Sequence, residues 1–469
     1  MLSGLILLPF FSLIILNLPF RALMRRLSFG LFQCLALAQI ILVLSPSVFL
    51  SGSSSFGVDR FFKFNLINDN LTRLMLLCIG MVLLVTVFVC RYTIKGPSER
   101  FNFINLLLIA LIGTNGVVMA NDIFSLFVFM EITAVASFIL VAFHKKADAL
   151  EAAFKYIILS EFAAVLMLTA IALLLFICGS ASFPAINAAL KNSPQNFLIM
   201  PAIGIFLCGL FVKAGLVPFH AWLPDAHSAA PAAVSVFLSG LQIKILGAYT
   251  AIRLVTSVFG YSRPVTQILM LVGSVSIIFG GLAALRQSDF KRMLAYSSIS
   301  QVGYIFLGLG SGSALGLLGA VFHLFNHAVF KSLLFVNAAA VEAQAGTRDM
   351  DKMSGLAARM PLTGLTSLLA GLSAAGVPPL AGFWSKLIIV AALWISGHYV
   401  YAFAAVLGSL ITLAYILSLQ RRVFFGKIKA EFQEVKEAGF ALALPALVLA
   451  AITVAVGIIF PFLAQMPKF

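Results

Sequence analysis

Charged side chains are scarce in this sequence. They make up 10% of its 469 residues, against about 25% in soluble globular chains. With 62% hydrophobic residues and a mean hydropathy of +1.09, no soluble fold of this length could cover its own apolar surface, so the bilayer has to be the solvent. Acidic residues are scarcer still: 16 Asp and Glu against 31 Lys and Arg. A basic excess can signal nucleic acid, but no Lys/Arg-rich face with interleaved aromatics exists, and nucleic acid is excluded as a partner. Cysteines are few (Cys34, Cys78, Cys90, Cys178 and Cys208) and no two lie within three residues of each other, which excludes the spacings of thiolate zinc and Fe–S sites. No soluble domain is present either; the longest polar stretches are 51–70 and 421–437. The first apolar run, Leu2–Phe20, is followed by Arg21, Arg25 and Arg26 and not by a small-residue cleavage site, so it reads as a membrane helix and not as a cleavable signal.

What the chain does have is long apolar runs. A span needs about 20 apolar residues, and that ruler predicts an all-α polytopic membrane protein with fourteen helices. They fall at 2–20, 28–50, 71–92, 102–120, 122–143, 152–178, 198–219, 230–257, 264–285, 291–310, 313–340, 361–395, 399–420 and 438–465. Alternate loops differ sharply in basic residues. One set holds Arg21, Arg25, Arg26, Arg91, Lys95, Arg100, Lys145, Lys146, Lys155, Arg286, Lys291, Arg292, Arg348, Lys352, Arg359, Arg421, Arg422, Lys427, Lys429 and Lys436. The other, with the C-terminus, holds only Arg60, Lys63, Arg73, Lys191, Arg253, Arg263 and Lys468. The richer side is expected to be cytoplasmic, so both termini face away from the cytoplasm. Lys213, Lys244, Lys331 and Lys386 belong to no loop.

A charge at mid-bilayer costs on the order of 2.5–3.5 kcal/mol on insertion scales, so such residues usually face a bundle interior and mark ion pathways. Burial favours the neutral form of an isolated carboxylate or ammonium, whereas a pair holds both members charged. Glu131, nine residues into the fifth run, and Lys213, in the seventh, have opposite signs on neighbouring elements and are expected to pair. Separating them would release a proton. His323, His327 and Lys331, at i, i+4 and i+8, form one helical stripe; neutral histidines relay protons near physiological pH. Zinc would need the missing general-base Glu of His-Glu-x-x-His and a third ligand, and axial haem ligation a matching histidine pair on a facing helix. No metal or cofactor is therefore expected.

Two stretches break the helical pattern with proline at membrane depth: 211–218, running on through Pro231, and 376–386. Irregular backbone at that depth lines cavities, and interrupted helices in corresponding places of two halves point to a transport site built from repeats. The spacing from Glu131 to Lys213 resembles that from Gln301 to Lys386, which would make the second pair the counterpart of the first. His220, Asp225 and His227 are candidates for the mouth of a water path, and Glu161 either for an access carboxylate or for a partner of Lys155.

The stretch Lys213-Ala-Gly-Leu-Val-Pro-Phe-His-Ala-Trp-Leu-Pro-Asp-Ala-His resembles the signature of the proton-conducting membrane transporter family. That family includes the antiporter-like subunits of respiratory complex I, the A and D subunits of Mrp antiporters, and subunits of membrane-bound hydrogenases. Asn121-Asp122 through Phe129-Met-Glu131, Leu238-Ser-Gly-Leu-Gln-Ile-Lys244, the run from Asp289 to Ser300, the histidine stripe and Thr347-Arg-Asp-Met-Asp351 extend the resemblance over residues 100–395. It implies two inverted five-helix repeats, helices four to eight and nine to thirteen, with helices seven and twelve broken. The corresponding divisions are 1–100, 101–260, 261–420 and 421–469.

The resemblance also implies Glu131–Lys213 as the switch, Lys244 as relay, His323 and His327 as onward carriers and Lys386 as the terminal site. It implies a non-catalytic, proton-translocating subunit in the cell's inner membrane, working beside other membrane subunits and, in redox complexes, an Fe–S module. The alternative it carries is an antiporter exchanging protons for Na+ or K+. Relatives of the complex I M type carry Glu where this chain has Lys386, and many relatives carry His where it has Gln301. The resemblance thereby narrows to Mrp D-like, complex I N-like and hydrogenase-type chains.

Overall fold

The computed structural model describes residues 2–19, 21–45, 52–56, 64–192 and 196–463. Of the basic residues counted above, Arg60, Lys63 and Lys468 lie outside them, as do residues 51 and 57–63 of the first polar stretch. In chain order the elements are α1 Gly4–Leu16, α2 Arg21–Leu44, β1 Gly52–Phe56, β2 Phe64–Asn68, α3 Asn70–Thr93, α4 Pro97–Met119, α5 Ile123–Val141, α6 Ala147–Cys178, α7 Phe183–Asn192, α8 Ile199–Ala214, α9 Trp222–Ala229, α10 Ala232–Phe237, α11 Thr250–Leu254, α12 Arg263–Leu285, α13 Phe290–Gly310, α14 Ala314–Ala345, α15 Pro361–Ala375, α16 Ala381–Ile395, α17 Tyr399–Leu419 and α18 Phe440–Leu463. Among the described residues, ten helices are long and apolar enough to cross a membrane, and α1, α8, α15 and α16 are shorter apolar helices. The polar stretch 51–70 holds an element that hydropathy does not announce, the antiparallel hairpin β1–β2.

Polar caps start the helices that matter most. Asp122 accepts from the Ser125 amide at 2.7 Å to open α5, Asp289 from the Arg292 amide at 2.8 Å to open α13, and Ser313 from the Gly316 amide at 3.0 Å to open α14. Glycines with positive φ close others: Gly179 after α6, Gly346 after α14, Gly215 after α8 and Gly376 after α15. One sequence offset relates Asp122 to Asp289, Ala147 to Ala314 and Gly179 to Gly346, and α6 and α14 are each 32 residues long. The segment 232–259 is buried throughout 232–255 and contains three π-helical turns, Leu238–Gln242, Lys244–Tyr249 and Val255–Phe259. Such turns are rare and recur at functional sites.

The chain divides into two compact units, one of 1–87, 94–215 and 241–262, the other of 88–93, 216–240 and 263–469. In the first, Arg253 corrects its reading as a loop base. It is 3% exposed and grips Asp69 through both terminal nitrogens, at 2.5 and 2.9 Å, while reaching Thr72 at 2.9 Å and Tyr249 at 3.1 Å. In the second, Lys291 is likewise not a solvated loop charge: it is 2% exposed and donates to the Ala230 carbonyl at 2.6 Å. Position between apolar runs says nothing about whether a helix end tucks inward, and that misplaced both.

Burial pushes the Asp69 carboxyl up, but the Arg253 guanidinium and the Thr72 contacts outweigh this and hold it at about 2. Because the folded value lies below the ordinary carboxylate value near 4, the pair's stabilisation is complete above that value and is lost as the pH falls toward 2. Asp69→Asn should therefore cost about 1–3 kcal/mol at neutral pH, the range for a hydrogen bond to a charged group whose partner is left behind. Thermal unfolding in detergent at pH 7 and at the lowest pH the protein survives checks this: the gap between wild type and variant should narrow on acidification, and a pH-independent gap would refute the assignment.

Candidate functional site

In the first unit the site forms where α8 ends. Gly215, with φ of 66°, stops the helix, leaving Lys213 in its last turn, 3% exposed. The Lys213 ammonium donates to Glu131 Oε1 of α5 at 2.9 Å and to Ser160 Oγ of α6 at 2.7 Å. The Glu131 side chain is 22% exposed, so one member of the pair is sealed and the other is reachable. Gly247 lets the Lys244–Tyr249 turn press on α8: a Cβ there would sit 2.4–2.7 Å from atoms of Ala214. Lys244, fully buried, therefore lies on a segment that packs directly beside the Lys213 turn. Tyr156, one turn before Ser160 on α6, accepts from Gln242 Nε2 at 3.0 Å, so hydroxyl and amide groups reach from the Lys213 side of α6 to within two residues of Lys244. Glu161 follows Ser160 but lies exposed on α6. Lys155 forms an ion pair with Glu151 at 2.8 Å.

The second unit carries the other candidates. Gly376, with φ of 85°, ends α15, and a Cβ there would stand 3.1 Å from Lys386 Cδ, so a larger residue would press on the lysine stem. Lys386 is 4% exposed, and its ammonium lies 4.2 Å from the centre of the Tyr304 ring with no hydrogen-bond partner among the described residues. His323 Nδ1 meets Ser385 Oγ at 2.9 Å, and its ring lies 5.5 Å from that of Tyr304 and 6.1 Å from that of His327. Lys331 donates to the Leu294 carbonyl at 3.0 Å and to Ser297 Oγ. Lys386, Tyr304, His323, Ser385 and His327 thus make one buried polar cluster.

The counterpart suggested for Glu131–Lys213 does not form. Gln301 donates to Thr412 at 3.2 Å and Tyr415 at 3.4 Å, and the Lys386 ammonium lies over the Tyr304 ring instead. Asp225 pairs with Arg292 at 2.6 Å. His227 is fully buried and stacked on Phe335 at 4.7 Å, while half-buried His220 lies against Phe279 at 4.7 Å. Asp225, His220 and His227 thus meet Arg292, Phe279 and Phe335 respectively.

Ser160, Tyr156 and Tyr304 escape the sequence reading because hydroxyls are common and these stand in no motif, while Gln242 and Ser385 stand inside the marked stretches 238–244 and 376–386 but carry no charge to single them out. The cap offset supplies a signal for two of them: it aligns Tyr156 with His323 and Ser160 with His327.

Residues 120–412 match the family described as NADH:quinone oxidoreductase/Mrp antiporter, transmembrane. The D subunit of the Na+/H+ antiporter of Alkalihalophilus pseudofirmus is 30% identical over 458 residues, 96% of this chain and 92% of the relative. The N subunit of the NADH-quinone oxidoreductase of Desulforudis audaxviator is 36% identical over 324 residues, 68% of this chain and 64% of the relative. A chain in the structure of the Mrp complex from Dietzia sp. DQ12-45-1b superposes with a TM-score of 0.90 over 98% of this chain and 95% of that one, at 24% identity, a likeness of fold. A chain of the membrane-bound sulfane sulfur reductase, an archaeal respiratory membrane complex, does so at 0.88 over 98% and 76%, with 29% identity. With more than half its length inside the family match and a relative aligned nearly end to end, the chain belongs to the NADH:quinone oxidoreductase/Mrp antiporter transmembrane family and is an antiporter-like, multi-pass membrane subunit.

Proposed function

We propose that this chain moves protons through buried Glu, Lys and His side chains, as one membrane subunit of a larger complex. The observation that carries the reading is the Lys213 ammonium, held by Glu131 and Ser160 where a helix breaks inside the membrane-spanning region. A buried lysine released from its carboxylate gives up its proton readily, and one returned to it takes a proton back, so small movements of α5 or α8 would gate transfer. In the first unit the carriers are Glu131, Lys213 and Lys244, with Ser160, Tyr156 and Gln242 orienting them. In the second they are His323, His327, Lys331 and Lys386. Glu161, His220, Asp225 and His227 are places where water would meet these sets.

The duplicated caps and breaks support two repeats, covering 101–260 and 261–420, and the family's topology would make them inverted. The Lys/Arg bias supports a cytoplasmic membrane location with both termini outside. Electron chemistry, where the complex carries any, would belong to partners, among which an Fe–S module is one class. Exchange of protons for Na+ is the second reading, favoured by the similarity to a chain of a Na+/H+ antiporter.

Mild-detergent purification of the tagged protein from its own membranes, with mass spectrometry of its companions, separates the two. Fe–S or NADH-oxidising subunits would make it a pump module. Small membrane subunits alone, with Na+-dependent proton flux in vesicles, would make it part of an exchanger. A chain that purifies alone and moves no ion would overturn the proposal.

A further inference from the structure

At the ends of α4, α5 and α6 nearest Lys145 the first unit opens into a cleft of about 780 Å³, within the roughly 300–1,000 Å³ of ordinary ligand pockets. Its walls are apolar: Leu106 from α4, Phe138 and Ile139 from α5, Leu150, Phe154 and Ile157 from α6. Ile139, Leu150 and Phe154 are 49%, 50% and 63% exposed, so the chain leaves this lining uncovered. The rim is basic. His144 and Lys145 line it and Lys146 follows. Lys145 is also the one non-glycine residue with positive φ, 52°, among the described residues. An L side chain is seldom held there unless its surroundings determine it, and such outliers gather at ligand clamps. Glu99, the acidic group on the rim, sits in the first turn of α4 with its carboxylate folded toward Gly96, where it complements its own helix.

From this geometry we propose that the cleft is a binding site for one anionic phospholipid, with an acyl chain between α5 and α6 and the headgroup phosphate on Lys145, Lys146 and His144. The chemistry is that of a bilayer lipid. The walls match hydrocarbon, with Asn102 the one amide side chain in the lining, and basic pockets between transmembrane helices on the Lys/Arg-rich side bind anionic headgroups. The cleft is also separate from the Glu131–Lys213 contact, so occupancy would fix the loop joining α5 to α6 without touching the buried lysine. The proposal does not depend on proton transport.

The test is native mass spectrometry of the full chain, with whatever subunits accompany it, after exchange into phosphatidylglycerol, phosphatidylcholine, or inorganic phosphate in detergent. One retained phosphatidylglycerol is expected, displaced at least several-fold less readily than phosphatidylcholine. Lys145→Asn with Lys146→Gln should erase that preference; Asn tolerates the left-handed conformation, so the turn is preserved. Ala142→Phe, which fills the cleft and leaves the rim intact, should expel the lipid altogether. Equal retention of both lipids, a preference unchanged in the basic-rim variant, or retention of phosphate alone overturns the proposal. So does lipid binding only to a chain stripped of its companions, which would make the cleft the seat of a neighbouring subunit.

Discussion

Lys213→Met should abolish proton translocation while the protein still accumulates in the membrane at its normal level. The side chain is sealed, and its ammonium donates to Glu131 and Ser160 at the helix break. Positioned proton-transfer groups contribute about 10²–10⁴ in rate, and a loss of at least about 100-fold is the expected size. Folding should survive, because the Glu131 side chain left behind is 22% exposed and so escapes much of the penalty that a fully buried, unpaired charge carries. Glu131→Gln should show the same defect, and the double variant should be no worse than either single one, since residues acting as a unit are not additive. Proton flux in everted vesicles, normalised to protein in the membrane, decides it. Translocation that persists in Lys213→Met would remove the buried pair from the mechanism and leave it a packing device.

Hydropathy and chain breakers make much of this protein legible in its sequence. Apolar runs of bilayer length announced the helices, and Pro with Gly at 215–218 and 376–379 announced where α8 and α15 stop. The rarity of charge made Glu131 and Lys213 conspicuous, since a carboxylate and an ammonium at membrane depth have few ways to be satisfied other than each other. What stayed hidden depends on rotation about helix axes. Whether Gln301 or Tyr304 faces Lys386 turns on less than one helical turn, and both are ordinary core residues by composition. Arg253 and Lys291 sit at helix ends, where a residue count cannot distinguish a side chain reaching for water from one folded inward onto Asp69 or Ala230. The correspondence between residues 122–179 and 289–346 is written in caps more than in charges. Asp122 with Asp289 and Gly179 with Gly346 keep one offset because backbone ends tolerate few residue types, whereas the candidate site residues between them differ.

Lys386→Met should raise the thermal stability of the protein and stop ion movement through the second unit. The two effects come from one fact: the Lys386 ammonium is buried over the Tyr304 ring and has no hydrogen bond among the described residues. A desolvated cation over an aromatic face recovers about 2 kcal/mol, whereas removing an ammonium from water costs several kcal/mol even after relaxation. The penalty exceeds the recovery, so a lysine kept here is kept for something other than stability, and Met, with a similar reach and no charge, should relieve the difference. Tyr304→Leu should act oppositely, lowering stability, because it removes the ring and the Tyr304 hydroxyl bond to the Ala405 carbonyl, 2.7 Å long, while leaving the charge in place. Melting temperatures in detergent, read beside vesicle flux, separate the possibilities. A stabilised, inactive Lys386→Met places Lys386 among the groups that carry the ion. If the variant is destabilised instead, the contact with Tyr304 is structural, and the terminal site has to be sought at His323 or His327.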